Sequence, residues 1–314
     1  MKLDLEYLKS HAAERAELAP PVIELSNLDT LWLQVTGTLC NLACLHCFIS
    51  CGPKNNSHEY MTLEKVEESV ETGAKNGVKA FYFTGGEPFL HPEIREMIEV
   101  TLAHGPLTIL TNGTLIDEEM AGWLAAKFRD SAHKLDLRVS LDGITKDEND
   151  ALRGRGTFEK ILAAIGRLTD AGLNPVITAT TCHAADAAGP EDPDKVLGSE
   201  QARQAFYDFV RSRGIDAPRV KFLAPFKIGR EERRGGGYQE WERLAEGDLT
   251  ACDKVALQCS SCRMVTSKGV FPCPILVEHE DANMGDDLEA SLVPIELRHQ
   301  ACYTCHMQGI SCAT

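Results

Sequence analysis

Two periodicities alternate along this chain. Short apolar, β-prone runs recur at 31–36, 79–84, 107–110, 135–140, 176–180 and 219–224. Between them lie longer segments with helical spacing, at 62–75, 92–104, 117–128, 157–171 and 200–213. The clearest is 157–171, where Phe158, Ile161, Leu162, Ile165 and Leu168 share one face. Thr62 is placed to cap its helix, though Lys65 stands where a full capping box would have Glu, and Gly77 marks the helix end. Six strands alternating with helices predict a parallel sheet with right-handed crossovers. Polar and glycine-containing segments repeatedly follow strand ends, at Cys40, Gly85, Asn112 and Asp142. In α/β barrels and open α/β sheets that end carries the chemistry.

The 314 residues suffice for one large α/β domain plus a small appendage. The proline-, glycine- and acid-containing stretch 184–199 reads as an exposed loop, and 234–237 as a flexible break. Three regions follow: an N-terminal helical extension (1–30), a βα domain (31–240) and a cysteine-rich extension (250–314). Residues 1–17 pattern as one polar amphipathic helix without a signal-peptide apolar core, and no apolar stretch reaches membrane-spanning length. The net charge of −15 argues against a nucleic-acid-binding face, and the basic run 230–234, broken by Glu231 and Glu232, reads as a solvated loop. A cytoplasmic location is expected, where 12 cysteines act as metal ligands or free thiols rather than disulfides.

The first concentrated chemistry is Cys40-Asn41-Leu42-Ala43-Cys44-Leu45-His46-Cys47, a C-x3-C-x2-C triplet on the loop leaving the first strand. Three thiols so close can converge on one metal centre. A [4Fe–4S] cluster usually takes four thiolates, so three leave one iron open to bind a small molecule. Structural zinc wants four ligands, and His46 or Cys51 could supply the fourth.

This triplet, Gly85-Gly86-Glu87-Pro88 after the second strand and Ser140-Leu141-Asp142-Gly143 after the fourth together resemble the radical S-adenosylmethionine (SAM) superfamily. The resemblance covers roughly residues 30–230. It implies a partial (β/α)6 TIM-like barrel. It also implies that Cys40, Cys44 and Cys47 hold three irons of a [4Fe–4S] cluster whose open iron chelates SAM. In that scheme Gly85 and Gly86 allow close backbone approach, Glu87 adds charge near the SAM ammonium and Pro88 fixes the turn. Ser140 hydrogen-bonds SAM, and Arg153, in Ala151-Leu152-Arg153-Gly154, pairs with its carboxylate, with Arg155 as the alternative arginine. Asn112 faces the same end, although Asn112-Gly113 also reads as a plain turn. His46 stands where relatives usually have an aromatic residue and can stack on adenine. Cys51 is expected to be a free thiol.

Six cysteines crowd the tail: Cys259, Cys262, Cys273, Cys302, Cys305 and Cys312. Strands at 263–266 and 270–273 flank Ser267-Lys268-Gly269 as a short hairpin, and a helix is expected over 289–298, started or interrupted at Pro294, with Cys302 and Cys305 after it. This hairpin-plus-helix extension resembles the SPASM and shorter twitch domains of radical SAM enzymes. That resemblance implies one auxiliary [4Fe–4S] cluster, with Cys259, Cys273, Cys302 and Cys305 as ligands and Cys262 or Cys312 as substitutes. A zinc ribbon pairing Cys259/Cys262 with Cys302/Cys305 is the competing arrangement. Cys182 reads as a small buried apolar residue on the fifth strand, and His183 as a strand-end histidine.

The implied activity is reductive cleavage of SAM to methionine and a 5′-deoxyadenosyl radical, which takes a hydrogen atom from a peptide, protein or small-molecule substrate. A flavodoxin- or ferredoxin-type electron donor is the implied partner. Only some 30 residues precede the first strand, so no leader-peptide-binding domain is expected within this sequence. The alternative is an iron–sulfur or zinc-binding protein without SAM chemistry, for which the Gly-Gly-Glu-Pro segment would have no use.

Overall fold

The computed structural model describes residues 3–181 and 200–309. Its strands, in chain order, are β1 (Val22–Ile23), β2 (Thr30–Gln34), β3 (Ala80–Thr84), β4 (Leu107–Thr111), β5 (Leu135–Ser140), β6 (Val176–Thr180), β7 (Arg219–Leu223), β8 (Cys262–Thr266), β9 (Gly269–Phe271) and β10 (Ile295–Glu296). The main sheet runs β7-β6-β5-β4-β3-β2-β8-β9. β2 to β7 pair in parallel in sequence order, which is the open six-stranded βα barrel.

Side-chain alternation sorts each barrel strand into an outer and an inner face. On β5, Leu135, Leu137 and Val139 face the helices and join the main apolar core, while Arg138 and Ser140 line the interior. On β3, Phe81 and Phe83 point outward, and Tyr82 stacks inward on Trp32 with ring centroids 4.3 Å apart. The helix Leu63–Lys75 buries Val66, Ser69, Val70 and Gly73, one stripe at helical spacing, and Thr62 caps it by accepting from the Lys65 N–H at 3.1 Å. The helix Thr157–Asp170 buries Phe158, Ile161, Ala164, Ile165 and Leu168. Each such large side chain contributes about 1.5–3 kcal/mol.

Several expectations are corrected. The hairpin of the cysteine-rich extension joins the main sheet, where β8 pairs in parallel with β2 (Thr30 opposite Cys262) and β9 pairs with β8. Residues 289–298 form turns and the short β10, not a helix. Pro294 has no N–H and disfavours helical backbone before it, and the buried Arg263 guanidinium takes the carbonyls of Ser291 and Val293 instead. The helix in this region is Ala301–Gln308, so Cys302 and Cys305 lie on it rather than after it. Segment 230–234 is not a solvated loop but part of the helix Gly229–Gly235, with Glu231 buried and ion-paired to Arg234 at 2.6 Å. The expected flexible break at 234–237 therefore begins inside that helix.

The N-terminal segment forms two short helices, Leu5–Ser10 and Ala12–Ala16, broken at His11. It packs on the cysteine-rich extension. β1 pairs with β10, Arg15 bonds Asp248 at 2.6 Å, and Leu8 and Ile23 share a core with Leu257, Leu297 and Tyr303. The helix Lys146–Arg153 was not expected, although its capping box of Thr145 and Glu148 was visible. Cys182, His183, the stretch 184–199 and Cys312 lie outside the described residues. No helix of the described residues is long and apolar enough to cross a membrane.

Candidate functional site

At the C-terminal end of the barrel strands lies a cavity of about 230 Å³. Cys40, Cys44, Cys47, His46, Gly85, Gly86, Asn112, Ser140 and Arg153 all line it, together with Cys51. Glu87 and Pro88 are not among the lining residues. Pro88 starts a short 3-10 turn behind the wall. The Glu87 carboxylate, fully buried, accepts from Thr111 Oγ1 (2.7 Å), the Asn112 N–H (2.7 Å) and the Phe89 N–H (3.1 Å). It ties the Gly-Gly-Glu-Pro turn to the end of β4, and burial raises its pKa to about 7.

The glycines of that turn serve the cysteine loop directly. A Cβ on Gly86 would fall 1.9 Å from the Leu39 carbonyl oxygen and 2.7 Å from Cys40 Cβ, so only glycine allows the two loops to touch. The Glu87 N–H then donates to the Leu39 carbonyl at 3.1 Å. Asn112 completes this side: its Nδ2 donates to Asn41 Oδ1 at 2.9 Å and approaches Cys40 Sγ at 3.8 Å. It is therefore more than a turn residue.

The other side of the loop is held by Arg230, which the sequence reading assigned to solvent. Its Nε donates to the Cys44 carbonyl at 2.7 Å, its Nη1 to the Ser50 carbonyl at 3.0 Å and its Nη2 to the Cys51 carbonyl. Its own N–H donates to the Cys47 carbonyl at 3.0 Å. Gly229 permits this approach, because a Cβ there would lie 2.3 Å from the Phe48 carbonyl oxygen. Ser50, the one non-glycine residue with positive φ (58°) among the described residues, sits inside this grip. The sequence offered one clue: a glycine–arginine pair shortly after the last barrel strand.

Ser140-Leu141-Asp142-Gly143 yields a second unexpected group. Asp142 is buried, within 3.0 Å of His46 Nε2 and 2.5 Å of Arg153 Nε, and accepts from the Thr180 N–H at 2.7 Å. Burial alone would raise its pKa, but Arg153 and His46 hold it below the usual carboxylate range. Arg153 thus meets a protein carboxylate as well as the cavity. His46 Nδ1 is buried without a hydrogen-bond partner. Arg138, buried on β5, also lines the cavity and was missed, because a charge inside a strand gave no motif.

The thiols differ. Burial raises Cys40 to about 12 and also raises Cys44. Cys47 is lowered by a hydrogen bond from Cys51 and by the Arg230 charge, and Cys51 is raised correspondingly. Cys51 is a free cysteine bonded toward Cys47 and the Gly85 carbonyl.

The tail cysteines gather around Arg263. This arginine donates to the carbonyls of Cys259 (3.1 Å) and Cys262 (2.7 Å) as well as those of Ser291 and Val293. Its charge also acts on Cys259, Cys262 and Cys273. Cys302 feels Cys259, and Cys305 packs on the apolar clusters of both the cavity and the N-terminal segment. Cys259, Cys273, Cys302 and Cys305 are half-buried, whereas Cys262 is fully buried with its thiol donating to the Pro272 carbonyl at 3.4 Å. Pro274 and Ile275, just after Cys273, line the first cavity, so the two cysteine regions share a wall.

Among the described residues, one group of three or more His, Cys, Asp or Glu side chains has all its ligand atoms within 4.8 Å of one another: His279, Asp281 and His299. Neither cysteine set is drawn that tight. Sulfurs sharing one tetrahedral zinc stand roughly 3.8 Å apart, given Zn–S bonds of about 2.3 Å. A [4Fe–4S] cluster binds each thiolate to a different iron and holds them farther apart. The all-thiolate donor sets fit iron–sulfur clusters.

Residues 35–184, just under half of the chain, match the Radical SAM superfamily. Over 135 residues it is 33% identical to the mycofactocin maturase MftC of Mycobacterium ulcerans (strain Agy99), covering 43% of this chain and 35% of that protein. Over 136 residues it is 31% identical to the antilisterial bacteriocin subtilosin biosynthesis protein AlbA of Bacillus subtilis (strain 168), covering 43% and 29%. The chain spans about a third of the length of these curated relatives. Its fold is similar to that of Streptococcus suis SuiB bound to precursor peptide SuiA, with a TM-score of 0.61 at 17% identity over 90% of this chain and 66% of that one. It is also similar to native anSMEcpe with bound AdoMet, with a TM-score of 0.56 at 18% identity over 89% and 81%.

Proposed function

We propose that this protein is a peptide-modifying radical SAM enzyme with one auxiliary iron–sulfur cluster. The observation that carries the reading is the convergence of Cys40, Cys44, Cys47, Gly85, Gly86, Ser140 and Arg153 on one cavity. A bound cluster would supply the single electron for reductive cleavage of SAM, and SAM bound beside it would supply the oxidising power for hydrogen-atom abstraction from the substrate.

The chain's residues bind, orient and exclude water. Cys40, Cys44 and Cys47 hold three irons, on a loop fixed by Gly86, Asn112 and Arg230. Arg153 and Ser140 hold the methionine end of SAM. Glu87 acts at one remove, positioning the glycine turn rather than touching SAM. His46 presents its ring to the cavity, braced by Asp142. Phe48, Ile49, Phe226 and Ile275 give the cavity apolar walls that keep water from a reactive radical.

Cys259, Cys273, Cys302 and Cys305 hold the auxiliary cluster. The hydrogen bond from the Cys262 thiol to the Pro272 carbonyl supports this set. A fully ligated cluster there would pass electrons rather than bind substrate. The peptide or protein substrate rests on relatives named for maturing mycofactocin and for making a bacteriocin. A flavodoxin- or ferredoxin-type protein in the cytoplasm would supply the electron.

The test is anaerobic reconstitution with iron and sulfide, then dithionite and SAM. The wild-type protein should release 5′-deoxyadenosine and Cys44→Ala should release none. Undiminished cleavage by Cys44→Ala would refute the assignment.

A further inference from the structure

The tightest set of metal-ligating side chains in the described structure contains no cysteine. It comprises His279 and Asp281, two residues apart on the turn that follows the β9 arm, and His299, just before the helix Ala301–Gln308. All their ligand atoms fall within 4.8 Å of one another. The imidazole rings lie 4.6 Å apart, tilted by 51°, and His299 Nε2 stands 3.6 Å from Asp281 Oδ2. Backbone bonds fix both segments: the His279 N–H donates to Leu276, the Ala282 N–H to His279 and the Cys302 N–H to His299.

We propose that His279, Asp281 and His299 bind one divalent cation of the zinc class, which clamps the arm carrying Cys273 to the helix carrying Cys302 and Cys305. Two imidazoles and a carboxylate make a donor set for zinc and its borderline neighbours. Magnesium and calcium prefer all-oxygen sites. A metal ligand must be a neutral imidazole. Asp281 and His299 also line a second cavity of about 320 Å³, where water can complete the coordination sphere and Glu296 stands on the wall. A bare histidine–aspartate contact would explain the 3.6 Å approach of His299 to Asp281 but not the convergence of His279 on the same point.

The consequence is mechanical. His299 lies three residues before Cys302, and His279 six residues after Cys273. A cation bridging them fixes the distance between two segments that supply candidate cluster ligands.

The test uses the anaerobically reconstituted protein, its cysteines occupied by clusters, titrated with Co²⁺. One cobalt per chain should bind beyond the iron, with weak d–d absorption, no thiolate-to-cobalt charge-transfer band, and displacement by Zn²⁺. His279→Ala and Asp281→Asn should each weaken cobalt binding by at least about tenfold. Asp281 is exposed, so its substitution leaves the fold intact and keeps the test decisive even if His299→Ala unfolds. Absence of cobalt binding, thiolate charge-transfer absorption, or unchanged affinity in both His279→Ala and Asp281→Asn would overturn the proposal.

Discussion

Each cysteine region of this protein is built on one arginine that binds backbone carbonyls, but the two were assembled from opposite materials. The triplet loop carries its three thiols within eight residues, and Arg230 reaches it from some 180 residues away. The tail draws its thiols from three segments, and Arg263 stands beside Cys262 itself. A guanidinium suits both tasks, because its planar fork satisfies several carbonyls with one charge that never titrates away. The positions of the two charges differ in effect. Arg230 lies half-buried at the cavity edge and lowers the Cys47 pKa. Arg263 is fully buried and donates to four carbonyls, those of Cys259, Cys262, Ser291 and Val293. The first arginine shapes a site; the second holds the extension together.

The largest effect should therefore come from the tail. Arg263→Met should lower unfolding stability by about 3–5 kcal/mol, because it strips a buried charge from its partners and leaves their carbonyls bare. Urea unfolding under anaerobic conditions reads this out, and a loss below about 1 kcal/mol would contradict the buried-clamp account. Arg230→Ala should cost less, about 2 kcal/mol, but act more selectively. Iron held by the triplet should fall while tail iron persists, and Arg230→Lys should not restore it, since a point charge cannot span three carbonyls. Equal iron loss from both regions would erase the distinction between the two arginines.

Arg153 sharpens the comparison within the first region, because it faces both Asp142 and the cavity. Arg153→Ala should weaken SAM binding roughly tenfold or more, the loss of one charge-assisted bond. Asp142→Asn should weaken it less, since Asp142 acts through Arg153. Calorimetry that reversed this order would make Asp142 the primary contact, and a larger effect of Arg155→Ala would show the wrong arginine was chosen.

The smallest effect concerns pH. The Glu87 pKa is raised to about 7 in the folded protein, so the fold favours the neutral acid. That contribution is fully present below the ordinary carboxylate range and is lost as pH rises through about 7. Between roughly pH 5 and 8 the thermal midpoint should fall more steeply in wild type than in Glu87→Gln, which cannot ionise. Parallel profiles would show that Glu87 is ionised throughout.

The first region was legible because its determinants are local. The triplet, the Gly-Gly-Glu-Pro turn and the strand ends occur in short stretches, and Ser140 followed from the resemblance that Ser140-Leu141-Asp142-Gly143 carries. Arg230 was not legible, since flanking glutamates made its segment look solvated and only the fold turns Gly229 against Phe48. Nor was the role of Asp142, which sat inside a quoted motif but gains meaning only when His46 and Arg153 meet it. In the tail, the hairpin was readable from Ser267-Lys268-Gly269. The helix was misplaced, because Pro294 was read as starting or interrupting a helix over 289–298 and nothing in the sequence announced that Arg263 would claim the carbonyls there. Parallel pairing of β8 with β2 joins residues more than 200 positions apart and left no local trace.

The most direct test of two separate iron–sulfur centres is metal analysis of a protein with Cys40, Cys44 and Cys47 all changed to Ala. After anaerobic reconstitution it should retain about four irons per chain, with an EPR signal indifferent to added SAM. Stoichiometric zinc and no iron in that variant would contradict the account.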